Sequence, residues 1–346
     1  MTMLTETRNY RLYFQALQNR PPTVAYSPLD LYIELTNHCN LRCRMCPNPS
    51  EMIRKRGFME WNLFIRLLAH IQGKIKYLRL FLFGEATLHP EFIPFLKEAK
   101  DRGFSVLLDS NLVGVSSELL ASLVDLQLNT LRISLDAVNN EQYRLIKGKD
   151  AYNQVMQAIR QLIDIRQEKG SVNPYLILQC IQMTENTSTI NVFKEIYAHL
   201  GIDFINVVRY LNLKERVKQS NGAAKGDPSA LCYQPWRHLA ITWDGRVTPC
   251  CQDFDCKMEL GRFPENDLFE LWNGEKLKRI RSDLIEHSFS DLSSFCQNCN
   301  CLHGNLAGQS DLSFVTIYEI LYPHRDLISP QVWQKIEQER RKISPF

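Results

Sequence analysis

Cys39, Cys43 and Cys46 stand in C-x3-C-x2-C spacing, with Pro47 immediately after. Three thiolates on one short loop can hold one face of a metal centre. A structural zinc site takes four ligands, commonly as cysteine pairs. A [4Fe–4S] cluster gripped by three thiolates instead keeps one iron open to a cofactor or substrate. Zinc completed by His38 or by a distant ligand is the competing reading. A second group comprises Cys232, Cys250, Cys251, Cys256, Cys296, Cys299 and Cys301. The stretch around Trp243, Asp244 and Gly245 reads as a hairpin with Asp-Gly at its turn. Cys232 and Cys250 flank its two open ends, and Cys296 and Cys299 form a C-x2-C pair, which together make a four-thiolate set. Such a set suits iron–sulfur or zinc equally. Cys251 is the alternative to Cys250, and Cys256 and Cys301 are expected as unligated thiols. Cys180 sits in the middle of an apolar run, where a free cysteine packs as a small hydrophobe.

The rest of the composition is ordinary. The chain has 346 residues, 45% hydrophobic and 23% charged, with 41 basic against 38 acidic side chains, a net charge of +3. That excludes global disorder and gives no ground for a nucleic-acid-coating surface. The basic clusters Ile53 to Arg56 and Lys214 to Lys218 read as solvated loops. At about 150 residues per domain the length suggests two domains. No window reaches the roughly 18 apolar residues of a membrane span, and the first ten residues lack an apolar signal core. A cytoplasmic protein is expected. Eleven cysteines, an odd number, then point to metal or redox chemistry rather than a disulfide framework.

The elements that must position these thiols follow a regular rhythm. Strands are expected at about 31–36, 77–83, 104–109, 128–135, 174–182 and 203–209. Helices are expected at about 60–71, 90–102, 116–126, 151–169 and 188–200. Gly103, Gly170 and Gly201 close three of these helices. Strand–helix alternation implies parallel pairing with right-handed crossovers, as an open partial barrel or a doubly wound sheet, with function at the C-terminal ends of the strands. The first three cysteines lie at such an end. Residues 1–30 form an N-terminal extension with a short helix, 31–225 the βα array ending in a polar linker, 226–303 a small cysteine-rich α+β domain, and 304–346 a helical tail.

The C-x3-C-x2-C run after the first strand resembles the radical S-adenosylmethionine (SAM) superfamily. The resemblance implies an open six-stranded (β/α)6 partial barrel, and a [4Fe–4S] cluster on Cys39, Cys43 and Cys46 whose open iron chelates SAM. One electron then cleaves the sulfonium and yields a 5′-deoxyadenosyl radical that abstracts a substrate hydrogen. Phe83-Gly84-Glu85-Ala86 is similar to the superfamily's Gly-Gly-Glu-Pro motif for the SAM amino group, departing at Phe83 and Ala86. Ser110 and Asn111 stand where relatives carry a cofactor-facing Thr-Asn-Gly. Ser134 and Asp136 match the Ser-x-Asp pattern that contacts the ribose. Tyr143 to Gly148 resembles a Tyr-x-x-Ile-Arg segment with Lys147 for Arg, and Asn186 matches a further common position. Turn formation by Ser110 and Asn111, helix capping by Ser134 and Asp136, and a solvated helix face for Tyr143 and Lys147 are the plainer readings.

The later cysteines resemble the SPASM/Twitch extension of these enzymes. The resemblance implies an auxiliary [4Fe–4S] cluster on Cys232, Cys250, Cys296 and Cys299, with the spacing nearer the one-cluster form. It covers about residues 31–302. It implies an enzyme that oxidises, crosslinks or epimerises a ribosomal peptide or a small molecule, supplied with electrons by a flavodoxin or ferredoxin. Dehydrogenation of a sugar or cyclitol alcohol is the alternative. Cys180 is the candidate hydrogen donor for an epimerase. A non-catalytic zinc- or iron–sulfur-binding interaction protein is the reading from another class.

Overall fold

The structure is a computed structural model, and it describes residues 3–209, 232–286, 288, 294–297, 299 and 334. In chain order the elements are α1 (Met3–Asn19), β1 (Asp30–Ile33), α2 (Trp61–Ile71), β2 (Tyr77–Arg79), α3 (Phe92–Asp101), β3 (Ser105–Ser110), α4 (Ser117–Asp125) and β4 (Thr130–Ser134). There follow α5 (Asn140–Lys147), α6 (Tyr152–Glu168), β5 (Tyr175–Gln182), α7 (Ile190–Tyr197) and β6 (Phe204–Arg209). The cysteine-rich segment supplies β7 (His238–Ile241), β8 (Arg246–Thr248), β9 (Gly261–Arg262), α8 (Leu268–Trp272), α9 (Glu275–Glu286) and α10 (Ser294–Gln297). The linker 211–230, Cys301 and most of the tail 304–346 lie outside the described residues.

Two compact units emerge. The first joins the chain up to Asp109 with the cysteine-rich segment; the second begins at Ser110 and runs to the end of the βα array. In the first unit β3, β2, β1 and β7 pair in that order and in parallel, with Asp30 opposite Tyr77 on one side and opposite His238 on the other. β7, β8 and β9 continue as an antiparallel meander. The cysteine-rich segment thus extends the sheet that carries the first three cysteines. In the second unit β4, β5 and β6 run parallel. Neither set closes into a barrel among the described residues, which is the open α/β class expected.

Local sequence explains these elements. All four residues of β1 are buried, as parallel strands covered on both faces require. α2 buries Phe64, Leu67, Leu68 and Ile71, and α3 buries Phe92, Phe95, Leu96 and Ala99. Both show the i, i+3, i+4, i+7 stripe of an amphipathic helix. Ser116 caps α4 by accepting the Leu119 N–H at 3.2 Å, and Asn139 caps α5 by accepting that of Gln142 at 2.9 Å. Gly103, Gly170 and Gly201 all have positive φ just beyond their helices.

The N-terminal extension belongs to the first unit. Trp236 Nε1 donates to Pro21 O at 2.8 Å, Trp272 Nε1 to Tyr26 O at 2.7 Å, and Tyr26 Oη to Trp236 O at 2.8 Å. Asn273 exchanges two bonds with the Val24 backbone, each 3.0 Å. Residues 20–29 are therefore stitched to the cysteine-rich segment by partners more than 200 positions away.

The hairpin joins β7 to β8, with Ala240 opposite Thr248 and Ile241 opposite Val247. Its turn needs Gly245 at φ +87°, where a Cβ would stand 2.3 Å from Phe263 O. Gly245→Ala is expected to cost about 1–3 kcal/mol, the usual range for a side chain forced into such a conformation. A lower denaturation midpoint by tryptophan fluorescence checks this, and an unchanged midpoint contradicts it.

Candidate metal centres

The loop leaving β1 presents the first three thiols. Leu41 and Met45 are buried between them, whereas Cys39 is exposed and Cys43 and Cys46 are half-buried. The buried residues anchor the loop, and the cysteines alternate outward. None of the ten described cysteines is in a disulfide.

Polar side chains set this loop's path. Asn37 Nδ2 donates to Lys55 O at 2.8 Å and its Oδ1 accepts from Gly57 N at 2.9 Å. Asn48 Nδ2 donates to Asn37 O at 2.9 Å and to Phe83 O at 2.7 Å. Arg56 Nη1 donates to Asn37 O and Asn48 Oδ1, both at 2.8 Å. Arg54 is buried and holds Glu34 with both ends of its fork. The solvated-loop reading of Ile53 to Arg56 holds for Ile53, Lys55 and Arg56, which are exposed, and is corrected at Arg54, which is buried against a partner 20 residues distant that no local charge pattern reveals.

Gly84 and Glu85 sit at the base of the same loop. A Cβ on Gly84 would be 2.2 Å from Thr36 O and 2.8 Å from Asn37 Cα, so only glycine allows this approach. Glu85 N donates to His38 O at 2.8 Å, one residue before Cys39. The Glu85 carboxylate is buried and accepts from Thr87 Oγ1 at 2.7 Å. Phe83, where relatives have glycine, packs edge-on against Phe254, and Phe254 against Phe295.

The second group of thiols converges. Cys232, Cys250, Cys296 and Cys299 line one cavity with Pro235, Pro249, Met258, Ile280 and Leu284. Burial, then the neighbouring thiols of Cys251, Cys232, Cys296 and Cys299, push the Cys250 thiol well up. Cys251 does not line that cavity; it hydrogen-bonds Tyr32 near Arg79, Asp30 and Arg237. The geometry separates two adjacent cysteines that the sequence left interchangeable. Cys256 is buried, and burial pushes it up to about 12. Among the described residues no three His, Cys, Asp or Glu side chains converge closely enough to ligate a single ion.

In the second unit the expected residues meet one another. Ser110 Oγ accepts from Leu112 N at 3.0 Å and Asn111 Oδ1 from Val113 N at 2.8 Å, so both shape the turn after β3. Asp136 is fully buried, ion-paired to Lys147, and accepts from Ile181 N at 2.5 Å. Ser134 Oγ donates to Asp136 Oδ2 at 3.2 Å and accepts from Lys147 Nζ at 2.8 Å. Ser134, half-buried, is the more accessible of the Ser-x-Asp pair. Tyr143 and Lys147 are buried, which corrects their reading as a solvated face. Asn186 Nδ2 donates to Asp136 O at 3.0 Å and Ile181 O at 2.9 Å, and lies 3.5 Å from Cys180 Sγ. Cys180 is 1% exposed, and burial pushes its thiol up. It is a core residue of β5, as its place in the middle of an apolar run leads one to expect.

Two family models match this chain. Residues 33–182 match the radical SAM superfamily and residues 232–300 match SPASM, an iron–sulfur cluster-binding domain. The chain carries a radical SAM domain followed by a SPASM domain. It is 28% identical over 295 residues to the tungsten-containing aldehyde ferredoxin oxidoreductase cofactor-modifying protein of Pyrococcus furiosus, covering 72% of this chain and 82% of that one. It is 30% identical over 139 residues to the PqqA peptide cyclase of Methylorubrum extorquens, covering 40% of this chain and 36% of the cyclase, so that match spans about a third of the relative. The fold is similar to that of Streptococcus suis SuiB bound to its precursor peptide SuiA, with a TM-score of 0.61 at 15% identity, over 86% of this chain and 74% of SuiB.

These domains imply a [4Fe–4S] cluster, SAM and auxiliary iron–sulfur clusters, and the side chains present fit them. The donors are thiols in both places, three on an outward loop and four around an apolar cavity. The glycine that lets the next strand's loop approach the first three is Gly84. The residue that sequence reasoning missed most is Glu34, invisible because its partners Arg54, Phe83 and Trp243 are scattered along the chain. Arg54→Met would leave the Glu34 carboxylate buried without its cation. A stability loss of about 3–5 kcal/mol is expected, read as a fall in the denaturation midpoint; a fall equivalent to less than about 1 kcal/mol would contradict it.

Proposed function

We propose that this protein is a radical SAM enzyme in which Cys39, Cys43 and Cys46 hold the SAM-binding cluster and Cys232, Cys250, Cys296 and Cys299 hold one auxiliary cluster. In this reading it carries out a net oxidation at carbon on a peptide or small molecule. The observation that carries the reading is the contrast between the two thiol groups of one compact unit. Three thiols on an outward loop leave a metal position for a ligand, whereas four thiols around an apolar cavity leave none.

When bound on these thiols, the clusters would supply one-electron chemistry: relaying an electron from an external reductant to SAM, whose sulfonium would open to a hydrogen-abstracting 5′-deoxyadenosyl radical, and receiving one from the oxidised substrate. The protein's part is positioning. Glu34, Arg54, Asn37, Asn48 and Arg56 fix the three-cysteine loop, and Gly84 lets the following strand's loop rest on it. The apolar lining of the four-thiol cavity keeps water from the second centre. Ser134, steadied by Asp136 and Lys147, offers a hydroxyl at the C-terminal end of β4.

Crosslinking or dehydrogenation is favoured over epimerisation, since of the described spare thiols Cys180 and Cys256 are buried and Cys251, half-buried, is held by a hydrogen bond with Tyr32. The PqqA peptide cyclase and the precursor peptide bound to SuiB support a peptide substrate. The cofactor-modifying relative supports a small molecule.

Anaerobically reconstituted protein is expected to hold about eight irons with matching sulfide, and to release 5′-deoxyadenosine when given SAM and a low-potential reductant. Cys43→Ala should abolish that release while keeping about four irons. Release undiminished in Cys43→Ala, or zinc without labile sulfide in the parent, would overturn the reading.

A further inference from the structure

The sheet of the second unit has two unlike faces. Successive residues of a strand point to opposite faces, and register partners of a parallel pair share one. Leu176, Leu178 and Cys180 of β5 are buried on the helix side, where Cys180 neighbours Lys147 of α5 and Tyr197 of α7. Ile177, Gln179 and Ile181 therefore take the other face. Three rows cross it. Arg132, Ile177 and Phe204 form the first, Ser134, Gln179 and Asn206 the second, and Ile181 and Val208 the third. The middle row is polar throughout. It starts at Ser134, the last residue of β4, and apolar side chains of β5 and β6 stand on both sides of it.

Two carboxamides lie side by side in that row. Asn206 Nδ2 donates to Gln179 Oε1 at 3.3 Å. Among the described residues Gln179 Nε2 and Asn206 Oδ1 find no hydrogen-bond partner. Were both amides turned over, Gln179 would keep the open acceptor and Asn206 the open donor, so one of each remains either way. Bulk water hardly reaches Asn206, which is 4% exposed, while Gln179 is half-buried. Polar groups placed like this among apolar neighbours cost free energy until something pairs with them. Ser134 does not supply the partner, since its hydroxyl already donates to Asp136 and accepts from Lys147.

The open donor and acceptor define the group that fits. A carboxylate only accepts and an ammonium only donates, so each leaves half of the pair unmet. An amide meets both halves, with its C=O on one carboxamide and its N–H on the other. A residue of an extended peptide shows its own N–H and C=O along one edge, and a side-chain carboxamide carries both at one carbon. The apolar rows offer contact to whatever flanks the amide.

We propose that Gln179 and Asn206 are the substrate-recognition pair of this enzyme, and that they bind an amide group of the substrate. The inference rests on the radical SAM reading above and narrows its substrate to an amide-bearing molecule.

The test uses full-length protein, anaerobically reconstituted and supplied with SAM, and reads affinity by saturation-transfer NMR titration. The probes are N-acetyl-phenylalanine methylamide and propionamide, each beside its fully N-methylated analogue, and myo-inositol, which has hydroxyls and no amide. At least one amide should bind, at least about tenfold tighter than its methylated analogue. Binding of the capped phenylalanine assigns a main-chain amide, and binding of propionamide alone a side-chain carboxamide. Gln179→Met and Asn206→Leu should each weaken that amide at least about tenfold and erase its preference over the analogue. Where Gln179→Met loses its iron, Gln179→Glu, of the same shape without the donor, is read in its place. Absence of binding by both amides, equal binding of amide and analogue, a preference that survives the substitutions, or a tighter hold on myo-inositol overturns the proposal. So does a loss of SAM affinity matching the loss of the amide, which assigns the pair to the cofactor instead. A parent protein that holds no iron, or releases no 5′-deoxyadenosine with a reductant, brings down the radical SAM reading itself.

Discussion

The first unit depends on a buried pair, Glu34 with Arg54. Glu34 stands directly after β1, and its carboxylate takes both ends of the Arg54 fork. It also accepts from Phe83 N at 3.3 Å and Trp243 N at 3.4 Å. Arg54 Nε donates onward to Phe254 O at 2.5 Å. One ion pair thus fixes the end of β1, the return arm of the cysteine loop, the residue before Gly84, the hairpin turn and the cysteine-rich segment. Such a pair need add little net stability over an apolar core, because desolvation offsets most of its attraction. Its value is geometric: Glu34 accepts from three separate segments, at Arg54, Phe83 and Trp243, so none can shift alone.

That arrangement explains what was legible in the sequence and what was not. The βα rhythm, the helix-closing glycines and the Asp-Gly hairpin are local patterns, and the structure holds them within a few residues of the expected ranges. The C-x3-C-x2-C loop is local too. Arg54 was illegible because a buried arginine and a solvated one look alike until the partner is known. Tyr143 and Lys147 failed for the same reason, since Asp136 lies at the end of another element. That Cys250 lines the four-thiol cavity and Cys251 does not is likewise a matter of tertiary contacts. The attachment of residues 20–29 to Trp236, Trp272 and Asn273 spans more than 200 positions and leaves no periodic trace. Partition of the array between β3 and β4 is likewise a property of contacts, not of composition.

The second unit builds its strand ends by a shared device. Ser110 and Asn111 each accept a backbone N–H two residues on, which turns the chain sharply after β3. Asp136, at φ +63°, accepts from Ile181 N and from Ser134, and Lys147 closes the group. Asn186 then bonds the carbonyls of Asp136 and Ile181. Ser110, Asn111 and Asn186 spend their hydrogen bonds on the backbone, while Ser134, Asp136 and Lys147 bond one another. Their contribution is a fixed surface at the C-terminal ends of β3, β4 and β5, where function was expected to gather.

The contrast between the two thiol groups follows from what surrounds each. The first three alternate with Leu41 and Met45, so the loop cannot turn its cysteines inward without exposing its anchors. The other four close on a cavity walled by proline, methionine, isoleucine and leucine, where water has few partners. An outward set suits exchange of a ligand, and an enclosed set suits exchange of an electron, which needs no entry path for atoms. An enclosed centre also feels distant charge more strongly, because little solvent screens it.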